Sequence, residues 1–243
     1  MGMPITVEIV DSSADNKTIE EIFSYFSYID EKFSTYKEES EISKINRGEI
    51  SQSEWSDDMK TVFALSEKTK KETNGYFDIM TPGGNYDPSG LVKGWAIYKA
   101  AEILERRGIG NFYINAGGDI QVKGKNSSGK YWKVGIKNPF SPGEIIKIVE
   151  LKNEAIATSG TYERGEHIYN PLSPDESIND IVSLSVVASD IYEADRFATA
   201  AFAMGRRGID FIEKLPGLEG YMVDKNGLAT MTSGFKKYVE QAD

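Results

Sequence analysis

The order of helical and strand patterns along the chain limits its fold more than any other feature of the sequence. Apolar side chains recur every three or four residues across 16–33, which predicts an amphipathic helix. Further helices are predicted at 59–73 and 93–107, and strand patterns then dominate at 112–115, 132–136, 145–151, 155–158 and 181–188. Because these elements come in unequal blocks and not in regular βαβ alternation, we predict an α+β fold with a mixed or antiparallel sheet.

Both ends of the chain are predicted to contribute further strands. Residues 5–10 carry an alternating apolar pattern, and residues 221–224 and 228–231 flank a Lys225-Asn226-Gly227 turn that is typical of a hairpin. Two more helices are predicted before this hairpin, at 193–206 and 209–215. With 40% hydrophobic residues among 243, the chain can bury one substantial core, so we predict a single compact domain over residues 1–243.

Charge and composition exclude several classes of protein. The chain has 38 acidic and 28 basic residues, and its formal net charge is −10. This balance argues against nucleic acid as a partner, because phosphate backbones bind basic faces. The absence of cysteine excludes disulfides, thiolate nucleophiles, iron–sulfur clusters and cysteine-ligated zinc. No segment approaches the ~18 apolar residues of a membrane span, so none is predicted.

The first residues bear on the cellular compartment. Residues 1–10 (MGMPITVEIV) do not show a charged segment followed by an apolar one, which is the pattern of an export signal. Read as written, the sequence favours a cytoplasmic protein. A periplasmic or lipid-anchored protein from which a leader has been removed is the alternative, so the compartment stays open.

Common nucleotide and hydrolase motifs are missing from the sequence. There is no G-x-x-x-x-G-K-[ST] motif, which excludes a P-loop nucleotidase. The Gly117-Gly118 pair does not form a G-x-G-x-x-G fingerprint, so a dinucleotide-binding Rossmann unit has no support. A Ser-His-Asp hydrolase would need the sole histidine, His167, yet no G-x-S-x-G elbow accompanies any serine.

A carboxylate and a hydroxyl are spaced for one helix face at residues 193–199 (EADRFAT). On a helix, Asp195 and Thr199 lie one turn apart, where both can ligate a hard cation such as Mg²⁺. For an isolated D-x-x-x-T pattern, the more frequent interpretation is a first-turn acid and a hydroxyl that faces the core. The spacing alone therefore leaves both interpretations open.

Residues 87–94 (DPSGLVKG) combine a turn, a predicted helix start and a lysine. Free backbone N–H groups at a helix start, together with Lys93, form a plausible seat for a phosphate. An ordinary proline turn explains the same residues. Residues 75–78, 115–120 and 157–160 are also glycine-containing turns, and none of them is specific when it is considered alone.

Short blocks of this kind stand in a fixed order along the chain. They are residues 1–4 (MGMP), 34–46 (STYKEESEISKIN), 75–78 (GYFD), 87–94 (DPSGLVKG), 115–120 (NAGGDI), 157–160 (ATSG), 167–171 (HIYNP) and 194–199 (ADRFAT). In sequence and in order they resemble the motifs of the FAD:protein FMN transferase (ApbE-like) family over almost the whole chain.

The resemblance implies a compact α+β fold related to the T-fold, with helices flanking the sheet and FAD in a cleft. It also implies Mg²⁺, or Mn²⁺, between the pyrophosphate and the protein. The implied metal ligands are the side chains of Asp195 and Thr199 and the backbone carbonyl of Gly90. The implied FAD contacts are Met1, Tyr36, Tyr76, Phe77, Asp78, Asp87, Lys93 and Ile168, and the implied catalytic residues are His167, Asp195 and Lys93.

The reaction that the resemblance implies moves FMN from FAD to a Ser or Thr hydroxyl of a partner protein and releases AMP. The implied partner is a flavoprotein subunit of an electron-transfer system. His167 either takes the proton of the incoming hydroxyl or braces the loop, and Lys93 adds a fixed positive charge. The alternatives are a Mg²⁺-dependent FAD pyrophosphatase and a flavin-binding module without turnover, although a mere binding module would not need the metal seat.

The chain departs from the family pattern at three places. Pro88 stands where leucine is usual, Gly90 where alanine is common, and residues 172–175 (LSPD) replace an R-T-G sequence. None of these changes alters Asp195 or Thr199 itself. We therefore expect them to affect the choice of partner more than the chemistry.

Overall fold

The computed structural model describes residues 2–161 and 168–239. Six α-helices lie within these ranges: α1 (Asn16–Phe33), α2 (Glu41–Asn46), α3 (Asp57–Glu72), α4 (Ser89–Arg106), α5 (Ile191–Ala203) and α6 (Arg207–Glu213). The strands in the same ranges are β1 (Ile5–Ile9), β2 (Phe112–Ala116), β3 (Asp119–Lys123), β4 (Trp132–Lys137), β5 (Ile145–Leu151), β6 (Ala155–Gly160), β7 (Ile181–Ala188), β8 (Glu219–Asp224) and β9 (Ala229–Met231). Short 3₁₀ helices span Gln52–Glu54 and Phe235–Tyr238.

Seven strands form one sheet in the order β1-β2-β3-β6-β7-β8-β9, and β4 and β5 pair as a separate hairpin. Every strand pairing in the described part of the chain is antiparallel. The prediction of an α+β fold with an antiparallel sheet flanked by helices is therefore confirmed. None of the described helices combines the length and the apolar character needed to cross a membrane.

The large sheet separates two apolar cores. Ala155 and Ala157 of β6 face the core shared with the helices, whereas Ile156 between them faces the core shared with the β4–β5 hairpin. The same alternation places Val186 on the helix side and Val187 on the hairpin side. Because successive strand residues point to opposite faces, one sheet can bury both surfaces and form a three-layer structure.

Two of the differences from the sequence-based predictions bear on the candidate site. The helix predicted to begin at 93 begins at Ser89, because the carbonyl of Pro88 already accepts bonds from the N–H groups of Leu91 and Val92. Strand β3 was not predicted, since its polar Asp119 and Gln121 are both buried and obscure the strand pattern. The early start of α4 has a consequence for the site, because it brings residue 90 into the helix.

Candidate active site

Helices α4 and α5 pack closely where two glycines of one helix face two polar residues of the other. A Cβ atom built on Gly94 would lie 2.6 Å from Asp195 Cβ, and one built on Gly90 would lie 3.0 Å from Thr199 Cγ2. The two glycines are four positions apart on α4, and the two polar residues are four positions apart on α5. Because the earlier glycine faces the later polar residue, the two helices are antiparallel. Glycine at these two positions lets the polar side chains of α5 lie directly against the backbone of α4.

This crossing brings three oxygen-bearing groups together. The Thr199 hydroxyl donates to the Gly90 carbonyl at 3.2 Å, and the Gly94 N–H donates to Asp195 Oδ2 at 2.7 Å. Among the described residues there is no group of three or more Asp, Glu, His or Cys side chains that could hold a metal ion. A carboxylate, a hydroxyl and a carbonyl still suit Mg²⁺, which takes oxygen ligands, keeps several waters and shares the substrate's phosphates. The residues present therefore fit the ion implied by the resemblance.

A lysine lies between two buried carboxylates in this site. Lys93 Nζ is 2.5 Å from Asp119 Oδ2 and 3.6 Å from Asp195 Oδ1. Burial raises the pKa of Asp195 to about 7 against the opposing attraction of Lys93, and the neighbouring Asp119 carboxylate adds to the increase. Ionised Asp195 is thus energetically unfavourable in this environment. A metal cation beside it, in addition to the Lys93 ammonium, would stabilise the ionised form.

Residues of the α4–α5 crossing line a cleft. The residues that line it include nine for which a binding, metal or catalytic role was predicted, namely Tyr76, Phe77, Asp78, Asp87, Gly90, Lys93, Ile168, Asp195 and Thr199. The other lining residues are Thr81, Ser89, Gly117, Thr158, Ser159, Gly160, Tyr169, Pro171 and Ala203. Residues that lie far apart in the sequence thus meet at one concave surface, while their individual roles stay predictions.

The aromatic wall of the cleft follows the end of α3. Asn74 and Gly75 adopt positive φ angles of 51° and 86°, which reverse the chain after the helix. The Phe77 N–H then donates to the Thr73 hydroxyl at 3.2 Å, so the Phe77 ring is buried beneath Gly90. Tyr76 is only half-buried. This turn therefore places the Phe77 ring in the core and the preceding Tyr76 ring at the surface of the cleft.

Side chains outside the cleft hold two of its wall residues. Arg207 at the start of α6 donates to the Tyr76 hydroxyl at 2.9 Å. Asp78 Oδ2 forms an ion pair with Lys70 Nζ at 2.6 Å. Each contact restrains a side chain that the resemblance assigns to FAD binding.

Asp87 lies at the start of α4. Its Oδ1 accepts the Ser89 N–H at 3.0 Å, and its own N–H donates to the Ile79 carbonyl at 2.7 Å. These bonds hold the carboxylate beside the first turn of the helix, where Asp87 lines the cleft.

Of the predicted site residues, one does not line the cleft and two lie outside the described residues. Tyr36 lies between α1 and α2 with its side chain 97% exposed, and it does not line the cleft. Its neighbour Thr35 lines an adjoining groove that shares Thr81 and Asp87 with the cleft. Met1 and His167 lie outside the described residues. For all three, a role in FAD binding or catalysis stays a prediction.

Asp119 is the main residue of the site that the sequence reasoning did not single out. It is the fifth residue of the block at 115–120, which was interpreted only as a tight turn. The sequence did contain a signal for it, because a charged side chain directly after two glycines is held in a fixed position by the turn that they form. The neighbouring Thr158 contributes its N–H to Asp119 Oδ1 at 3.2 Å, and its hydroxyl lies 2.7 Å from that of Ser185.

The chain is similar in sequence to proteins named as flavin transferases, and one of them aligns along nearly its whole length. An FAD:protein FMN transferase of Haemophilus influenzae is 26% identical over 311 aligned positions, which cover 99% of this chain and 90% of that protein. A second relative of that name, from Vibrio cholerae, is 31% identical over 167 positions, which cover 64% of this chain and 50% of the relative. In that alignment the chain spans half the length of its relative.

Solved structures share the fold. The flavin transferase ApbE of Vibrio cholerae superposes with a TM-score of 0.85 at 24% identity, covering 98% of this chain and 96% of that one. The ApbE protein of Thermotoga maritima gives a TM-score of 0.87 at 23% identity, covering 99% and 97%. A sequence profile of the ApbE family matches residues 1–83 and 81–222. From this match over most of its length, together with the shared fold, the chain belongs to the ApbE family.

Proposed function

We propose that this chain transfers FMN from FAD to a Ser or Thr hydroxyl of a partner protein in a Mg²⁺-dependent reaction that releases AMP. The observation that carries the proposal is the convergence of Gly90, Lys93, Asp195 and Thr199 on one cleft. The curated relatives named FAD:protein FMN transferase support the same activity. The proposed catalytic unit is a single domain that comprises residues 1–243.

The bond changes of this reaction are those of a phosphoryl transfer. The hydroxyl oxygen of the acceptor attacks the phosphorus on the FMN side of the pyrophosphate, and the bond from that phosphorus to the bridging oxygen breaks. AMP leaves with the bridging oxygen, and the hydroxyl proton passes to a base. Such a reaction depends on positioning and charge neutralisation more than on covalent catalysis, so the lack of cysteine is no obstacle.

Each residue at the helix crossing has a task in this proposal. Asp195, Thr199 and the Gly90 carbonyl hold Mg²⁺, which supplies charge neutralisation at the pyrophosphate when it is bound. Lys93, whose ammonium lies beside Asp195, provides a fixed positive charge toward the pyrophosphate of FAD. Because the first turn of α4 carries backbone N–H groups, its end of the cleft also favours an anion.

The flavin and the acceptor occupy the remaining parts of the cleft in this proposal. Tyr76 offers a half-buried aromatic face for a flat ring, and Ile168 and Tyr169 lie across the same cleft. His167, which precedes Ile168 in the sequence, is proposed to take the hydroxyl proton or to brace this wall. The proposed acceptor is a flavoprotein subunit of an electron-transfer system.

A direct test incubates the protein with FAD, Mg²⁺ and candidate acceptor proteins and follows the acceptor by mass spectrometry. We expect an added FMN on a Ser or Thr residue, with one AMP released for each FMN attached, and no addition in EDTA. Release of FMN and AMP at the same rate with and without acceptor would identify a pyrophosphatase instead. Flavin binding with neither product would identify a binding module and contradict the proposal.

Discrimination between flavins gives a second test. In the presence of Mg²⁺ the protein is expected to bind FAD more tightly than FMN, because Lys93, Asp87 and the metal ligands address the pyrophosphate and the AMP half, which FMN lacks. Titration calorimetry with each flavin at one pH and one Mg²⁺ concentration measures the difference. Equal dissociation constants would show that these residues do not contribute to recognition of the substrate.

A further inference from the structure

Asp119 holds a position at the candidate site that a rigid turn determines. Gly117 and Gly118 connect β2 to β3 with positive φ angles of 61° and 97°, and the Gly118 N–H donates to Asn115 Oδ1 at 2.9 Å. Two successive residues at positive φ are typical of the tight turns that join antiparallel strands. Asp119 follows immediately, is only 1% exposed, and accepts the Thr158 N–H. The turn and the Thr158 N–H together therefore fix the position of the Asp119 carboxylate.

The two carboxylates at the site present different atoms to Lys93. Asp195 Oδ2 accepts the Gly94 N–H, so Oδ1 is the oxygen that faces Lys93, at 3.6 Å. Asp119 Oδ2 is closer to the ammonium, at 2.5 Å. Since the attraction between opposite charges increases as they approach, Asp119 holds Lys93 more strongly than Asp195 does.

From this geometry we infer that Asp119 is a positioning residue that draws the Lys93 ammonium away from Asp195. Asp195 Oδ1 is then left for the divalent cation, and Lys93 is directed toward a phosphate of the substrate. Without the charge of Asp119, the ammonium would pair with Asp195 Oδ1 and compete with the metal for that atom. The inference rests on the proposed function, because it assigns the cation to Asp195.

Metal affinity tests the inference without FAD or acceptor. Mn²⁺ serves as the probe, and free Mn²⁺ is counted by electron paramagnetic resonance with wild type, Asp119→Asn, Lys93→Met and the double variant. Asparagine keeps an oxygen that can accept the Thr158 N–H and removes only the charge. Asp119→Asn is expected to weaken Mn²⁺ binding about tenfold, because Lys93 then occupies Asp195 Oδ1.

The decisive comparison is the effect of Lys93→Met in the two backgrounds. Removing the ammonium raises Mn²⁺ affinity in either one, because a positive charge is lost. If Lys93 competes for Asp195 once Asp119 is neutral, the gain is at least about threefold larger in the Asp119→Asn background. Equal gains would overturn the inference, and so would a wild type that binds no Mn²⁺.

Two further measurements separate this inference from other outcomes. Asp224→Asn is the matched control, since Asp224 is also buried and paired with an arginine, Arg206, but lies outside the cleft. Its Mn²⁺ affinity is expected to equal that of wild type. Should Asp119→Asn not fold by circular dichroism, Asp119→Ser enters the same cycle. Coupling in the cycle with no FMN transfer by wild type would refute the proposed function and leave the role of Asp119 intact.

Discussion

Asp195→Asn is expected to lower the rate of FMN transfer by about 10²–10⁴-fold, because a metal ion at a phosphoryl group supplies several kcal/mol of charge stabilisation. The amide has the shape of the carboxylate but carries no charge with which to hold a divalent cation. Mn²⁺ affinity should fall together with the rate. The rate is measured from FMN attached to the acceptor, and the affinity by electron paramagnetic resonance.

The fold is expected to survive this substitution. Lys93 keeps Asp119 as an ion-pair partner, and an amide oxygen can still accept the Gly94 N–H. Asp210→Asn, at an exposed position on α6, is the matched control and should transfer FMN at the wild-type rate. If Asp195→Asn retains the wild-type rate, Asp195 is not a metal ligand, and if the variant is unfolded, its role is structural.

Gly94→Ala is expected to lower the free energy of unfolding by about 1–3 kcal/mol, the usual cost of overpacking a well-packed core. The added Cβ would lie 2.6 Å from Asp195 Cβ and 2.7 Å from the Ile191 carbonyl oxygen. The second contact is with backbone, so only a displacement of α5 relieves it. Alanine is intrinsically better than glycine in a helix by about 1 kcal/mol. The collision outweighs this gain, and urea unfolding measures the difference.

The same substitution should also disturb the site. If α4 and α5 move apart, the Gly90 carbonyl no longer meets Thr199 at its present distance, so Mn²⁺ affinity falls together with stability. Gly110→Ala is the control, because a Cβ at that glycine has nothing within 4 Å. Its unfolding midpoint is expected to stay near that of wild type. A midpoint for Gly94→Ala at or above that of wild type would show that the helices adjust without cost.

Local patterns in the sequence determined most of the elements. Helix α1 has the bounds that its apolar spacing predicts, Asn16 to Phe33, and Asp15 caps it by accepting the Thr18 N–H. Strands β5 and β7 also begin and end where their patterns predict. These features follow from periodicity and capping, which depend on residues only a few positions apart. The ordered motif blocks likewise identified the family before any geometry was known.

The sequence also identified most of the candidate site, but not how its parts meet. Nine of the predicted residues line one cleft, whereas the exposure of Tyr36 was not foreseen. The role of Asp119 could not be predicted, because a turn motif indicates where the chain bends and does not identify the lysine that the aspartate will contact. The pairing of Asp119 with Lys93 arises only when β3 packs beside α4.

What the tertiary structure alone decided is the contact between α4 and α5. Gly94 and Asp195 are 101 positions apart, yet the N–H of one donates to the carboxylate of the other. No local propensity predicts that contact, because it depends on how closely two helices approach and on which faces they present. The sequence therefore determined most of the elements and the chemical groups, and the packing of α4 against α5 determined that carbonyl, hydroxyl, carboxylate and ammonium face one another.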